Sequence, residues 1–145
     1  MALSDVTASG DALATRDDLA LHGCSSQITE GISDANLDAM LASASEEAAG
    51  ILQSSGRVKL PLTAWGADLT KAVCKLAAWD IMTSLVGHNP EDANNFVWRD
   101  RAAEARDWLE KVARGLIMPV GLVDATPTVT KTGSVVVTET QRGWR

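Results

Sequence analysis

A chain of 145 residues with ordinary hydrophobic content is one domain of normal size, able to bury about two-thirds of the surface its unfolded form exposes. Its formal net charge of −6 excludes a free-standing nucleic-acid binder, which needs a basic surface to neutralise phosphates. Apolar runs fall short of a membrane span. The start, MALSDVTASGDALAT, lacks the basic opening and apolar core of a signal peptide, so the chain is expected to be made and kept in a cytoplasm.

Residues 1–14 are small and polar with scattered Ala and Leu, and read as a flexible N-terminal arm. Thr15 is placed to cap a short helix over Arg16–His22, with Asp17 and Asp18 in its first turn and Gly23 as its stop. Residues 24–33 read as a polar connection. Asp34 then caps the clearest helix in the chain, in which Leu37, Met40, Leu41, Ala44, Ala48, Ile51 and Leu52 step by three and four. Its alanines make it thin, and Gly56 ends it.

Arg57–Leu62 (RVKLPL) is extended or turn-like, because Pro61 biases Leu60 away from helix. A central helix follows over Thr63–Gly87, capped by Thr63, with one broad apolar face of Leu69, Val73, Leu76, Ala77, Ile81 and Leu85. Asp80 falls on or beside that face, where a carboxylate needs hydrogen bonds or a cation. Arg99, Arg101 or Arg106 is expected to supply the cation. Asp80 is thus read as a structural buried acid that fixes helix register. His88-Asn89-Pro90 is a turn signal, and Pro90-Glu91-Asp92 opens a last helix running to about Ala113, stopped by Gly115. Its face is Trp98, Ala102, Ala105, Leu109 and Val112.

From residue 116 the helical period is gone. Thr126–Thr130 and Ser134–Thr140 are rich in Val and Thr and straddle Lys131-Thr132-Gly133, which predicts a two-stranded hairpin. A lone hairpin is marginal in water, so this tail needs the body or another chain to pair with. Val135, Val136 and Val137 are apolar on successive residues and expose valine on both faces of a strand, which points to coverage by a partner. Trp144, flanked by Arg142 and Arg145, sits where core-building does not explain it and suits an interface anchor. The competing reading is a tail folded back on its own helices. The architecture is therefore mainly α: a small bundle of about four helices over residues 15–115, with an extended, β-hairpin-forming C-terminal tail over 116–145.

Chemistry does not show itself. The two histidines, His22 and His88, sit at helix ends, where they satisfy terminal carbonyls. Cys24 and Cys74 have no metal-ligand spacing; Cys74 reads as a small apolar helix residue, and reduced thiols are expected over a disulfide. Glu46-Glu47 and Glu91-Asp92 are solvated acids. No GxSxG, phosphate-binding loop or GxGxxG occurs, and Ser54-Ser55-Gly56 is a helix end. No catalytic residue, cofactor or metal is expected, and the chain is not read as an enzyme.

The order of features resembles the small head–tail connector proteins of tailed bacteriophages, in the family found in Mu-like phages and prophages. Thr15-Arg16-Asp17-Asp18-Leu19, Leu60-Pro61-Leu62, Asp80-Ile81 and Trp108-Leu109-Glu110 through Gly115 stand where that family has a TR-x-DL start, an LPL before the central helix, DIA-like residues within it, and a WLE-x-x-A-x-G end. The resemblance covers about residues 15–118. It implies a non-enzymatic structural virion protein at the head–tail junction: a twelve-fold ring of copies beneath the portal protein. Such a ring extends the DNA channel and docks the next neck or tail protein. DNA would pass through without sequence-specific binding, and no membrane is involved. The resemblance also implies that Val135–Val137 and Trp144 contact the portal. The alternative is a small cytoplasmic helical interaction or regulatory module that pairs with its partner through the same tail.

Overall fold

The computed structural model describes residues 12–84 and 96–125. In chain order it contains α1 (Arg16–Asp18), which runs on into a π-helical turn (Leu19–Gly23), α2 (Ser26–Thr29), α3 (Asp34–Gln53), α4 (Ala67–Ser84) and α5 (Phe96–Ala113). The mainly α class is as expected. The predicted hairpin lies outside the described residues, and so do His88, the Pro90-Glu91-Asp92 helix opening and the Gly87 stop.

Helix α4 is the element the others cover. Nine of its eighteen residues are buried: Leu69, Ala72, Val73, Cys74, Leu76, Ala77, Ala78, Ile81 and Met82. That set wraps further round the helix than the single face read from the sequence, because α5, α3 and the π-helical turn all pack against it. The facing sides match their periodicity. Helix α3 buries Leu37, Leu41, Ala44, Ala48 and Leu52, and α5 buries Ala102, Ala105, Leu109 and Val112. Small residues on α3 let the backbones approach, and Ser45 tolerates full burial by donating to the Leu41 carbonyl at 2.7 Å.

The helical body starts earlier than the capping signal suggests. Thr15 does cap α1, in a reciprocal box with Asp18. Before it, though, Leu13 and Ala14 are buried, Leu13 at 1% exposure. The Leu13 N–H donates to Ser45 Oγ at 3.0 Å and its carbonyl accepts from Thr70 Oγ1 at 3.3 Å. Both backbone groups of one arm residue are thus satisfied by α3 and α4, so its side chain is buried with no polar group left unpaired. The end of the 1–14 segment therefore belongs to the core, and residues 1–11 lie outside the described set.

Three further local expectations are corrected. Residues 24–33 contain α2, whose single turn is too short to show a period and which seats Ile28 against the core. The N-cap of α3 is Ser33, whose side chain accepts from the Asn36 N–H, and Asp34 is the first helical residue. Thr63 does not cap α4, which begins at Ala67. Its N–H and hydroxyl both donate to the Val123 carbonyl, at 2.7 and 3.2 Å.

That last bond belongs to a short return of the chain. Helix α5 ends in a Schellman motif: Gly115, at φ 79°, donates to Val112 O and Leu116 to Lys111 O. The chain then runs back along residues 59–64. Val123 bridges Ala64 in antiparallel sense, Ala125 N–H donates to Lys59 O at 2.8 Å, and Lys59 N–H donates to Asp124 Oδ2 at 2.8 Å. The crossing of this return over the entry to α4 requires glycine on both sides. Gly121 has φ 80°, and a Cβ on Gly66 would collide with the Val120 carbonyl.

Two substitutions test these contacts. Ser45→Ala leaves the buried Leu13 N–H without an acceptor and is expected to cost about 1–3 kcal/mol, read as a lower midpoint in chemical denaturation. Gly23→Ala places a methyl 2.6 Å from Leu19 Cδ1 and 2.9 Å from Cys74 O. It is expected to cost about 1–3 kcal/mol through overpacking, and an unchanged midpoint would contradict the close approach of the π-helical turn to α4.

Candidate functional site

The residues proposed from sequence for partner binding, Val135, Val136, Val137, Arg142, Trp144 and Arg145, all lie outside the described residues. What is described is the root of that segment, residues 116–125. Its side chains alternate: Ile117, Pro119, Leu122 and Asp124 are half-buried, while Leu116, Met118, Val120 and Val123 face solvent. Met118 is 86% and Val120 82% exposed. Reading 116–145 as one tail passes over this apolar strip, whose sequence signal is Leu116, Met118 and Val120 at a spacing of two.

Beneath the strip lies a cavity of about 240 Å³, lined by Arg57, Val58, Val112, Ile117, Met118 and Leu122 among others. It forms where the end of α5 meets the segment leaving α3. Ser55 ties the two together by donating its hydroxyl to the Ala113 carbonyl, and Arg57 lies over Gly115. The lining is apolar except for Arg57 and Asp124 at its edge.

The acid expected to be buried in α4 is placed differently. Asp80 is half-buried, and no arginine pairs with it among the described residues. Arg106 instead makes its ion pair with Glu47 of α3, Nε to Oε2 at 2.6 Å. Arg101 lies over the Trp98 ring and Arg99 over Phe96. Asp80 is left partly desolvated, with Glu47 near enough to repel it and Arg106 only partly offsetting both, so its carboxyl is held above the ordinary carboxylate value. Glu47–Arg106 thus links α3 to α5, and the charged form of Asp80 is a cost to the fold.

Neither cysteine forms a disulfide and both are buried. Burial, and secondarily the charges of Asp18 and Cys24, push the Cys74 thiol up to about 12; burial also raises Cys24. Both are protonated at neutral pH, which leaves no thiolate for nucleophilic work. His22 is half-buried in the last turn of the π-helical segment. Among the described residues no three His, Cys, Asp or Glu side chains are grouped to hold a metal ion, and no described helix is long and apolar enough to cross a membrane.

Fold and surface together define a small helical protein whose most distinctive exposed feature is apolar and sits at the root of its C-terminal segment. The chain belongs to the bacteriophage Mu Gp36 family, whose model matches residues 7–139. It is therefore a Mu-like phage protein, and the match supports a structural or assembly role. No curated protein and no solved structure matches it.

The placement of Asp80 gives a pH prediction. Its folded value is raised, so the folded state holds this proton more tightly than the unfolded chain does. The charged carboxylate then penalises the fold above its folded value, and protonation removes the penalty as pH falls towards the ordinary 3.8. Asp80→Asn is expected to raise the Tm at pH 7, with the gain vanishing on acidification below about pH 4. A lowered Tm at pH 7 would restore the ion-pair reading.

Proposed function

We propose that this chain is a head–tail adaptor: copies of it form a ring beneath the portal protein, extend the DNA channel and dock the next neck or tail protein. The observation that carries the reading is the family match over residues 7–139. It takes in the helical body and most of the segment after α5, so the valine-rich stretch belongs to the family's pattern.

Physical features support it. A ring around DNA needs subunit faces that meet copies of themselves and a wall to which the duplex does not stick. The net charge of −6 suits such a wall, since like charge keeps a polyanion from adsorbing. Helix α3 carries Asp34, Asp38, Glu46 and Glu47 and no cation, whereas α5 carries Arg99, Arg101, Arg106 and Lys111 among its acids. Exposed charges of both signs on α5 offer polar contacts to the acidic surface of α3 in a neighbouring copy, and head-to-tail contacts of that kind close a ring. The valines at 135–137 and Trp144, with Arg142 and Arg145 beside it, supply the anchor for the portal.

Deletion of Thr132–Arg145 tests the assignment of the tail. The truncated protein is expected to keep the far-ultraviolet spectrum and melting behaviour of the helical body and to lose sedimentation with portal rings. Full portal binding by the truncated chain would remove the tail from the interface.

A further inference from the structure

The cavity beside the end of α5 has no occupant among the described residues, and its chemistry specifies one. It is lined by Val58, Val112, Ile117, Met118 and Leu122, with Arg57 at the rim. At about 240 Å³ it exceeds the roughly 150 Å³ that suffices for a benzene-sized group. It therefore fits a few branched aliphatic side chains, followed by a group that a guanidinium holds.

Within the chain outside the described residues, one stretch has that order. Val135-Val136-Val137 is three consecutive apolar residues, and Glu139 follows two positions on. Neither residues 1–11 nor residues 85–95 contain three consecutive branched aliphatic residues; Met1-Ala2-Leu3, with Asp5 two positions on, holds only one. The route is short. Asp124 lines the cavity, the described chain stops at Ala125 beside Lys59, and Val135 is ten residues further on. Ten residues span up to about 35 Å, and Lys131-Thr132-Gly133 provides a place to reverse direction. A segment tethered this closely is present at an effective concentration of order millimolar, so even weak docking is well populated. The family match also takes in Val135–Glu139.

We propose that Val135–Glu139 docks in this cavity of its own chain, Val135 and Val137 covering the apolar lining and Glu139, on the same face of an extended segment, meeting Arg57. The contact hides both the valines and the strip around Met118 in the isolated subunit, and a partner for the tail has to displace it. It concerns the free chain and stands whether or not the adaptor reading does.

The test is disulfide trapping in the full-length protein carrying Met118→Cys and Val137→Cys. Cys24 and Cys74 are buried and are not expected to compete. A pair of Leu21→Cys, on an exposed site outside the cavity lining, with Val137→Cys is the control. Docking predicts a disulfide within one chain, at a rate independent of protein concentration and at least about tenfold faster than the control pair. Adding Arg57→Glu should slow it, and Arg57→Glu with Glu139→Arg should restore it. Equal rates for the two pairs overturn the proposal, and so do disulfides formed only between chains, which would make a second copy the occupant. Slowing by Arg57→Glu without restoration by the exchanged pair would remove Glu139 from the contact.

Discussion

The structure depends on satisfying a helix that is apolar on most of its circumference. Half of the residues of helix α4 are fully buried and only Ala67, Asp68, Lys71 and Ser84 are exposed, so the elements around it are placed by the need to cover it. Leucine is the commonest of the large side chains in that cover, each worth about 1.5–3 kcal/mol when fully buried. Directional contacts then fix what burial leaves free. Ser45 and Thr70 hold the two backbone groups of Leu13, and Glu47 and Arg106 hold α3 to α5. Val123 closes the circuit by pairing with the segment that leads into α4. One end of the described body is thereby tied to α4 itself and the other to the segment that leads into it.

This explains where the surface features fall. The chain after α5 cannot leave directly, because its first ten residues serve as cover for the α3–α4 connection. The segment lies over the body with some side chains inward and others outward. Four of the outward ones, Leu116, Met118, Val120 and Val123, are apolar. A returning segment with apolar residues on both sides serves the core on one side and offers a contact surface on the other. Exposed apolar strips of this kind mark interaction sites more often than isolated apolar residues do. The adaptor reading uses the tail that continues from it.

How much of this was legible follows from which signals are local. Helices α3 and α5 were readable because their apolar residues repeat at three and four and because Gly56 and Gly115 stop them within a few residues of where they end. Helix α4 was readable as central, but not its start: Thr63 is as good a strand residue as a cap, and its use was decided by Val123, sixty residues away. Leu13 gave no periodic signal, since one buried residue among small polar ones has no period. That Asp80 pairs with none of Arg99, Arg101 and Arg106 was not legible, because the acid that meets Arg106 is Glu47 of α3, brought there only by the fold. The cavity under Met118 was not legible at all, because it is made by segments that meet only in the fold. The family was legible, because order and spacing of several weak motifs are jointly specific where each one alone is not.

The central claim is a place in the particle, and it is tested most directly there. Tailed particles produced by the phage or prophage that encodes the chain would be labelled with an antibody against it and viewed by electron microscopy. The adaptor reading predicts label confined to the junction of head and tail. Label on the capsid shell or along the tail would contradict it. So would unlabelled particles from cells in which the protein is readily detected.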